Sequence, residues 1–366
     1  MSQNGKSCLV PVVFPGVFSG NYMDPPHYAI RLYNKTMTHV IYIEEAISQH
    51  PRVKQICQRF PAARKIICGR YGEVFNPKAQ NFRLQKKQPA LILAKKHQGF
   101  ALPTPPGYHI GARQNYYFSH MLNCLYDCRY CFLQGMYQSA NYVLFVNYED
   151  YIDEITSIAA QHRSEPVHFF SGYDCDSLAF EPVTGFADYF LPRLEQIDNA
   201  WLELRTKSTQ IRNLLKRPVN PRCVIAFSLS PDEVAGKLEH KAPPLAKRME
   251  ALLKLQKQGW SIGLRFDPLI YQQSWRQQYR QLFEQVFSQI DLKLLHSVSL
   301  GVFRLPEKYY KKMHKLYPDE KLFASPLQTQ QGMVSYRQDL EQQMTESCSR
   351  MLLEFIPEEL FFPCTI

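Results

Sequence analysis

Three cysteines, Cys124, Cys128 and Cys131, fall within the stretch Cys124-Leu125-Tyr126-Asp127-Cys128-Arg129-Tyr130-Cys131, a C-x3-C-x2-C spacing. Thiolates are soft, charged ligands, and three at this pitch can each take one corner of a cubane iron–sulfur cluster, leaving the fourth iron free of protein. A cluster held on three legs is open to another ligand and is therefore reactive. The same thiols could instead hold zinc, with His120 just upstream as a fourth ligand. Structural zinc sites usually pair their ligands as two C-x2-C-like knuckles, and the sequence carries no second knuckle, which favours the cluster.

Such a loop needs a rigid frame, and the flanking sequence supplies one. Strand-like apolar runs at 116–122, 167–170, 201–206, 224–229, 262–266 and 298–302 alternate with helical patterns, one from about Thr184 and two clearly amphipathic ones near 244–258 and 274–290. Strands alternating with helices predict an α/β fold with a parallel sheet of about six units. An array of this kind closes partly into a TIM-type barrel, a partial (β/α)6 barrel spanning 111–305, with chemistry at the C-terminal ends of its strands. Ahead of it, 39–110 reads as a small N-terminal α/β lead-in, with strands at 40–43, 66–68 and 91–94 and a helix over 44–59. The turn-rich Pro103-Thr104-Pro105-Pro106-Gly107 closes that unit. Residues 1–38, rich in Pro, Gly and Tyr, read as an irregular extension, and 306–366 as a C-terminal cap that completes the mouth.

Composition bounds the class. With 45% hydrophobic and 21% charged residues the chain is that of a globular protein. A formal charge of +10 favours a polyanionic partner through counterion release. The start, Met1-Ser2-Gln3-Asn4-Gly5-Lys6, lacks the layout of a secretion signal, and no apolar run approaches the roughly 20 residues of a membrane span. The expectation is a cytoplasmic protein with no membrane partner. In that reducing compartment the scattered thiols Cys8, Cys57, Cys68, Cys223, Cys348 and Cys364 read as small apolar fillers, not disulfide partners.

The cysteine triplet with Tyr130 immediately before its last member resembles the signature of radical S-adenosyl-L-methionine (SAM) enzymes. The following Phe132-Leu133-Gln134-Gly135 narrows the resemblance to the spore photoproduct lyase family, over about 39–363. The resemblance implies a partial (β/α)6 barrel and a [4Fe-4S] cluster on Cys124, Cys128 and Cys131, with the amino and carboxylate groups of SAM on the open iron. It also implies Tyr130 near the adenine, Lys207 of Leu204-Arg205-Thr206-Lys207-Ser208 on the SAM carboxylate, and Ser228 of Phe227-Ser228-Leu229-Ser230 beside the same ligand. The implied activity is light-independent repair of UV-induced thymine dimers in DNA through a 5′-deoxyadenosyl radical. UV-damaged DNA and an electron donor such as flavodoxin or ferredoxin are the implied partners.

Two departures bear on the quenching half of that chemistry. In the family, a cysteine of the loop that here reads Ser171-Gly172-Tyr173-Asp174-Cys175-Asp176-Ser177 returns hydrogen to the product radical. Aligning Asp176 and Thr184 puts Tyr173 in that slot, with Cys175 two residues on. Tyr173 or Cys175 is then the candidate donor, a task a weak S–H bond would suit, unless Cys175 is an inert thiol and neither residue serves. Phe132 stands where the family has a second tyrosine that relays hydrogen back towards SAM. Two basic runs are candidates either for phosphate contact with stacking on an unpaired or extruded base or, equally, for plain solvated helix faces. They are Arg205, Lys207, Arg212, Lys216 and Arg217, and Arg304, Lys308, Lys311 and Lys312 interleaved with Tyr309 and Tyr310. Glu239-His240, Trp275 and Tyr279 match family positions and receive only packing or loop roles. The competing readings are a paralogue acting on another nucleic-acid lesion, and a non-catalytic metal-bound protein that binds nucleic acid or senses redox state.

Overall fold

The computed structural model describes residues 39–75 and 80–364. The apolar runs become six parallel strands: β1 (Gln114–Phe118), β2 (Val167–Ser171), β3 (Ala200–Thr206), β4 (Cys223–Ser228), β5 (Ser261–Leu269) and β6 (Leu295–Val302). They pair in chain order, each parallel to the next. β2 and β4 are buried at every position, as strands covered on both faces must be, which is why they read as continuous apolar runs and not as alternation. Phe361–Pro363 adds a parallel strand outside β6 and Leu102–Pro103 an antiparallel one outside β1, so both edges of the six-stranded sheet are covered. The curled sheet and its helices are the expected partial (β/α)6 barrel. Among the described residues no helix is long and apolar enough to cross a membrane.

A buried ion pair sits inside the barrel. Glu203 of β3 and Arg265 of β5 meet at 2.6 Å with both side chains almost fully buried, and Arg265 also donates to the Ser297 hydroxyl and carbonyl. The bidentate geometry satisfies both charges, without which burial would cost several kcal/mol per ion.

The lead-in forms a second sheet, in the order Arg64–Cys68, Val40–Glu44, Leu91–Ala94, Tyr142–Phe145, Met121–Leu122. Its last two strands come from residues beyond 110, and the strand Tyr142–Phe145 was not among the sequence expectations. The run expected as one strand over 116–122 is two. Gln114–Phe118 joins the barrel and Met121–Leu122 pairs antiparallel with Tyr142–Phe145. The break falls at Ser119-His120, where Phe118 and His120 both turn into the aromatic cluster of Phe186 and Phe190. The helix expected from 44 starts instead at Pro51, whose missing N–H is harmless there, and the His50 ring caps it by accepting from the Arg52 N–H at 3.1 Å. The reading of residues 1–38 lies outside the described residues.

The last segment contributes a three-stranded antiparallel sheet (Arg304–Pro306, Leu327–Gln330, Met333–Tyr336) and helices Glu307–Leu316 and Gln338–Leu352.

Candidate active site

The cysteine loop is held from several directions. Asn123, at φ +67, starts it and donates from Nδ2 to the carbonyls of Ser139 and Asn141. Cys128 pairs antiparallel with Glu239, and the Arg129 N–H donates to the Leu238 carbonyl at 2.8 Å. On another side Lys86 of the lead-in donates to Asp127, Gln134 and the Tyr317 hydroxyl, tying loop and cap together. Arg129 donates to Asp127 at 2.6 Å and lies 3.9 Å above the Tyr317 ring. At Gly135 the cap helix comes so close that a Cβ would stand 2.5 Å from the Tyr309 carbonyl oxygen. Only glycine fits that approach.

The three thiols share one electrostatic environment. Burial raises all three pKa values, that of Cys128 to about 12. The charges of Cys128 and Cys131 raise Cys124 further, while Lys207 pulls Cys128 and Cys131 back down. Among the described residues no three His, Cys, Asp or Glu side chains stand close enough to hold a single metal ion, and the three thiols, near enough to feel one another's charge and with a lysine near two of them, offer the soft donor set of a cluster whose irons would supply the missing positive charge. His120, the alternative fourth zinc ligand, is committed elsewhere. Its ring stacks on Phe186 at 4.0 Å, its Nδ1 faces the Cys175 Sγ at 4.0 Å, and burial drops its pKa to about 3.

Beside the thiols the structure brings together the residues expected to bind SAM. Lys207 follows β3, Ser228 ends β4, and the Lys207 Nζ lies 5.6 Å from the centre of the buried Tyr130 ring. The Tyr130 hydroxyl donates to Glu239, which also accepts from the Ser230 hydroxyl at 3.0 Å and pairs with Arg248, 1% exposed. Burial raises the Glu239 pKa, but the charges of Lys207 and Arg248 outweigh it and hold the carboxyl below its usual value. Arg248 in turn donates to the Ser228 carbonyl at 3.1 Å. Glu239, given only a loop role from sequence, is therefore the hub that fixes Tyr130, faces Lys207 and backs Cys128. No local pattern signals this, because its partners lie 109 residues before it and 9 after it.

The loop after β2 shapes the other wall. Gly172 adopts φ +86, where a Cβ would also strike the Ser177 hydroxyl. The buried Asp176 accepts from the Leu178 and Ala179 N–H groups, the Thr206 hydroxyl and the Lys207 N–H at 2.6–3.0 Å. Tyr173 is 43% exposed, its ring 4.4 Å from Tyr117 and 5.4 Å from Phe132. Cys175 turns the opposite way, buried against His120, and burial raises its thiol pKa well above normal. The two candidate hydrogen donors thus lie on different sides of the loop.

The two basic runs do not form uniform surfaces. Arg205 pairs with Glu203 at 3.1 Å and lies over the Tyr108 ring, and Arg217 pairs with Glu195 at 3.3 Å. In the cap helix Lys311 pairs with Glu307, and Tyr310 packs on Phe323.

Comparison with known proteins gives one consistent result. The sequence profile of the family described as spore photoproduct lyase matches residues 112–359. The spore photoproduct lyase of Bacillus subtilis (strain 168) is 23% identical over 244 residues, 64% of this chain and 71% of that protein. That of Geobacillus sp. (strain Y412MC61) is 22% identical over 153 residues, 42% of this chain and 45% of that protein. Among solved structures, a substituted spore photoproduct lyase with bound AdoMet and dinucleoside spore photoproduct superposes with a TM-score of 0.78 at 17% identity, over 90% of this chain and 98% of that one. A spore photoproduct lyase complexed with dinucleoside spore photoproduct gives 0.76 at 16% identity, over 90% and 99%.

Proposed function

The chain belongs to the spore photoproduct lyase family, and from that premise we propose that it is a radical SAM lyase that reverses a methylene-bridged thymine dimer in UV-damaged DNA without light. The observation that carries the reading is the convergence of the Cys128 thiol, the Tyr130 ring, the Lys207 ammonium and the Glu239 carboxylate at one mouth of the barrel. Cluster and SAM, when bound, would supply a 5′-deoxyadenosyl radical, the agent that takes hydrogen from C6 of the lesion.

The chain's own residues bind, orient and shield. Cys124, Cys128 and Cys131 would hold the cluster. Lys207, whose ammonium is favoured over the cost of burial chiefly by Glu239, presents it to a carboxylate, and Tyr130 offers a buried ring face held still by its hydrogen bond to Glu239. Ser228 ends β4 beside them. The overall conversion is an isomerisation: the hydrogen removed from C6 is matched by one returned to the methylene carbon, and the bridge bond breaks between the two events. Access supports Tyr173 as the returning side chain, because its ring is exposed beside Phe132 while Cys175 is walled off behind the loop. DNA is the substrate that the basic charge of the chain suits, and a one-electron carrier such as flavodoxin or ferredoxin is the source of the electron. The reducing cytoplasm is the compartment that suits both the thiols and the cluster.

The test is anaerobic turnover. Reconstituted protein given SAM, reductant and the dinucleotide photoproduct should release thymine, resolved by mass, and Cys128→Ala should lose both iron and turnover. 5′-Deoxyadenosine without thymine would reject the substrate, and a colourless protein with one zinc per chain would reject the reaction class.

A further inference from the structure

The cluster loop reaches the surface on its Lys86 side as well as at the barrel mouth. There, Cys124 lines a small depression together with Phe82, Lys86, Asp127 and Lys241. Among the described residues the only carboxylate in that lining, Asp127, is already paired with Lys86 and with Arg129. Around the depression stand three exposed cations. Arg83 lies on the helical turn Phe82–Gln85, Lys87 just after it, and Lys241 at φ +64 on the turn that follows the strand pairing with Cys128. Among the described residues none of the three has a carboxylate partner, since Arg83 donates only to the Leu316 carbonyl. Lys241 lies close enough to Lys86 for their charges to interact. On the same helical turn as Arg83, Leu84 exposes 60% of its surface, an apolar contact flanked in the chain by positive charge.

We infer that this rim is the docking surface for an acidic one-electron carrier protein, which delivers its electron to the cluster through the Cys124 edge. The inference rests on the proposed function only in needing a cluster on the cysteine loop. In the step, one electron leaves the reduced carrier, a flavin hydroquinone or a reduced iron–sulfur centre, and is taken up by the cluster, with no bond made or broken. Charge complementarity selects the partner: a basic rim speeds encounter with an acidic surface, and the exposed Leu84 gives the encounter complex an apolar contact. A nucleic acid would also meet positive charge here, but an exposed leucine on the turn that carries Arg83 suits a protein face better than a phosphate backbone.

The experiment reverses the rim charges together, Arg83→Glu, Lys87→Glu and Lys241→Glu, with Lys257→Glu on the helix Leu245–Gln258 as a control. Binding of the full-length apoprotein to an acidic flavodoxin is measured by calorimetry. Reduction of the reconstituted cluster by flavodoxin hydroquinone and by dithionite is followed by stopped-flow absorbance. The triple variant should bind flavodoxin about tenfold or more weakly and be reduced by it correspondingly slowly at low salt, converging with the parent protein at high salt. Its dithionite rate, melting temperature and affinity for duplex DNA should match those of the control. Equal flavodoxin binding and rates would overturn the inference, as would lost DNA binding with flavodoxin kinetics intact. A protein that takes electrons at this rim yet leaves the photoproduct whole would reject the substrate and leave the docking surface standing.

Discussion

Glu239→Gln tests the hub directly. The substitution keeps the side chain's shape and leaves an oxygen for the Tyr130 and Ser230 hydroxyls, but removes the only carboxylate that, among the described residues, is bonded to Arg248, whose side chain is 1% exposed. Removing one partner of a buried pair costs about 3–5 kcal/mol, because the remaining charge stays in a poorly solvating site. The retained hydrogen bonds place this variant near 3 kcal/mol. For a chain of this size each kcal/mol corresponds to about 2 °C, so the apoprotein should melt about 6 °C lower. The assay is thermal unfolding by circular dichroism under anaerobic, reducing conditions, on the single variants Glu239→Gln and Arg248→Met and on the double. If the two groups form one unit, Arg248→Met should cost far less in the Glu239→Gln background than alone. A fall below about 1 °C, or strictly additive losses, would refute the assignment of Glu239 as the charge that balances this wall of the site.

Three further outcomes follow from the same geometry. Although burial raises it, Arg265 and Arg205 hold the Glu203 pKa down to about 2, below the usual 4.5. Between those values the unfolded chain binds the extra proton, so stability of order 3 kcal/mol, present above about pH 4.5, should drain away as pH falls towards 2. Denaturant titrations at stepped pH should show that slope, and Glu203→Gln should flatten it. Gly135→Ala should lose about 2 kcal/mol or more, since the new methyl meets backbone that cannot rotate away. Faster trypsin cleavage within Glu307–Leu316 would report the displaced cap helix, and unchanged cleavage would count against the close contact. Tyr173→Phe should cut thymine yield sharply while 5′-deoxyadenosine still forms, and Cys175→Ala should leave both nearly unchanged; the reverse pattern would make the buried thiol the donor.

The barrel was legible because its strands are locally apolar and its helices locally amphipathic, so no distant information was needed to read them. The cysteine triplet was legible for the same reason, its ligands being neighbours in the chain. Legibility failed wherever a distant partner decided the outcome. Nothing in 116–122 announces that the chain leaves one sheet for another at Ser119, because the pull comes from Phe186 and Phe190 much later in the sequence. The helix start at Pro51 was missed by reading hydrophobic spacing past a residue that marks a first turn. Glu239 looked like an ordinary loop acid until folding placed Tyr130, Ser230 and Arg248 around it. Tyr173 and Cys175 could not be separated by spacing, and it takes the folded loop, with Tyr173 exposed against the Tyr117 ring and Cys175 buried, to show which one looks outward.

One carboxylate links two walls of the cavity. Asp176, three residues after Tyr173, accepts from the Leu178 and Ala179 N–H groups and the Thr206 hydroxyl with one oxygen, while its other oxygen takes the Lys207 N–H. A cofactor that draws Lys207 forward would therefore pull, through Asp176, on the loop proposed to face the nucleotide. The two ligands should recognise each other's presence, and thermodynamic reciprocity requires the factor to be the same whichever arrives first. Affinities for SAM measured with and without the dinucleotide, and the converse, would read that factor, and Asp176→Asn should move it towards one.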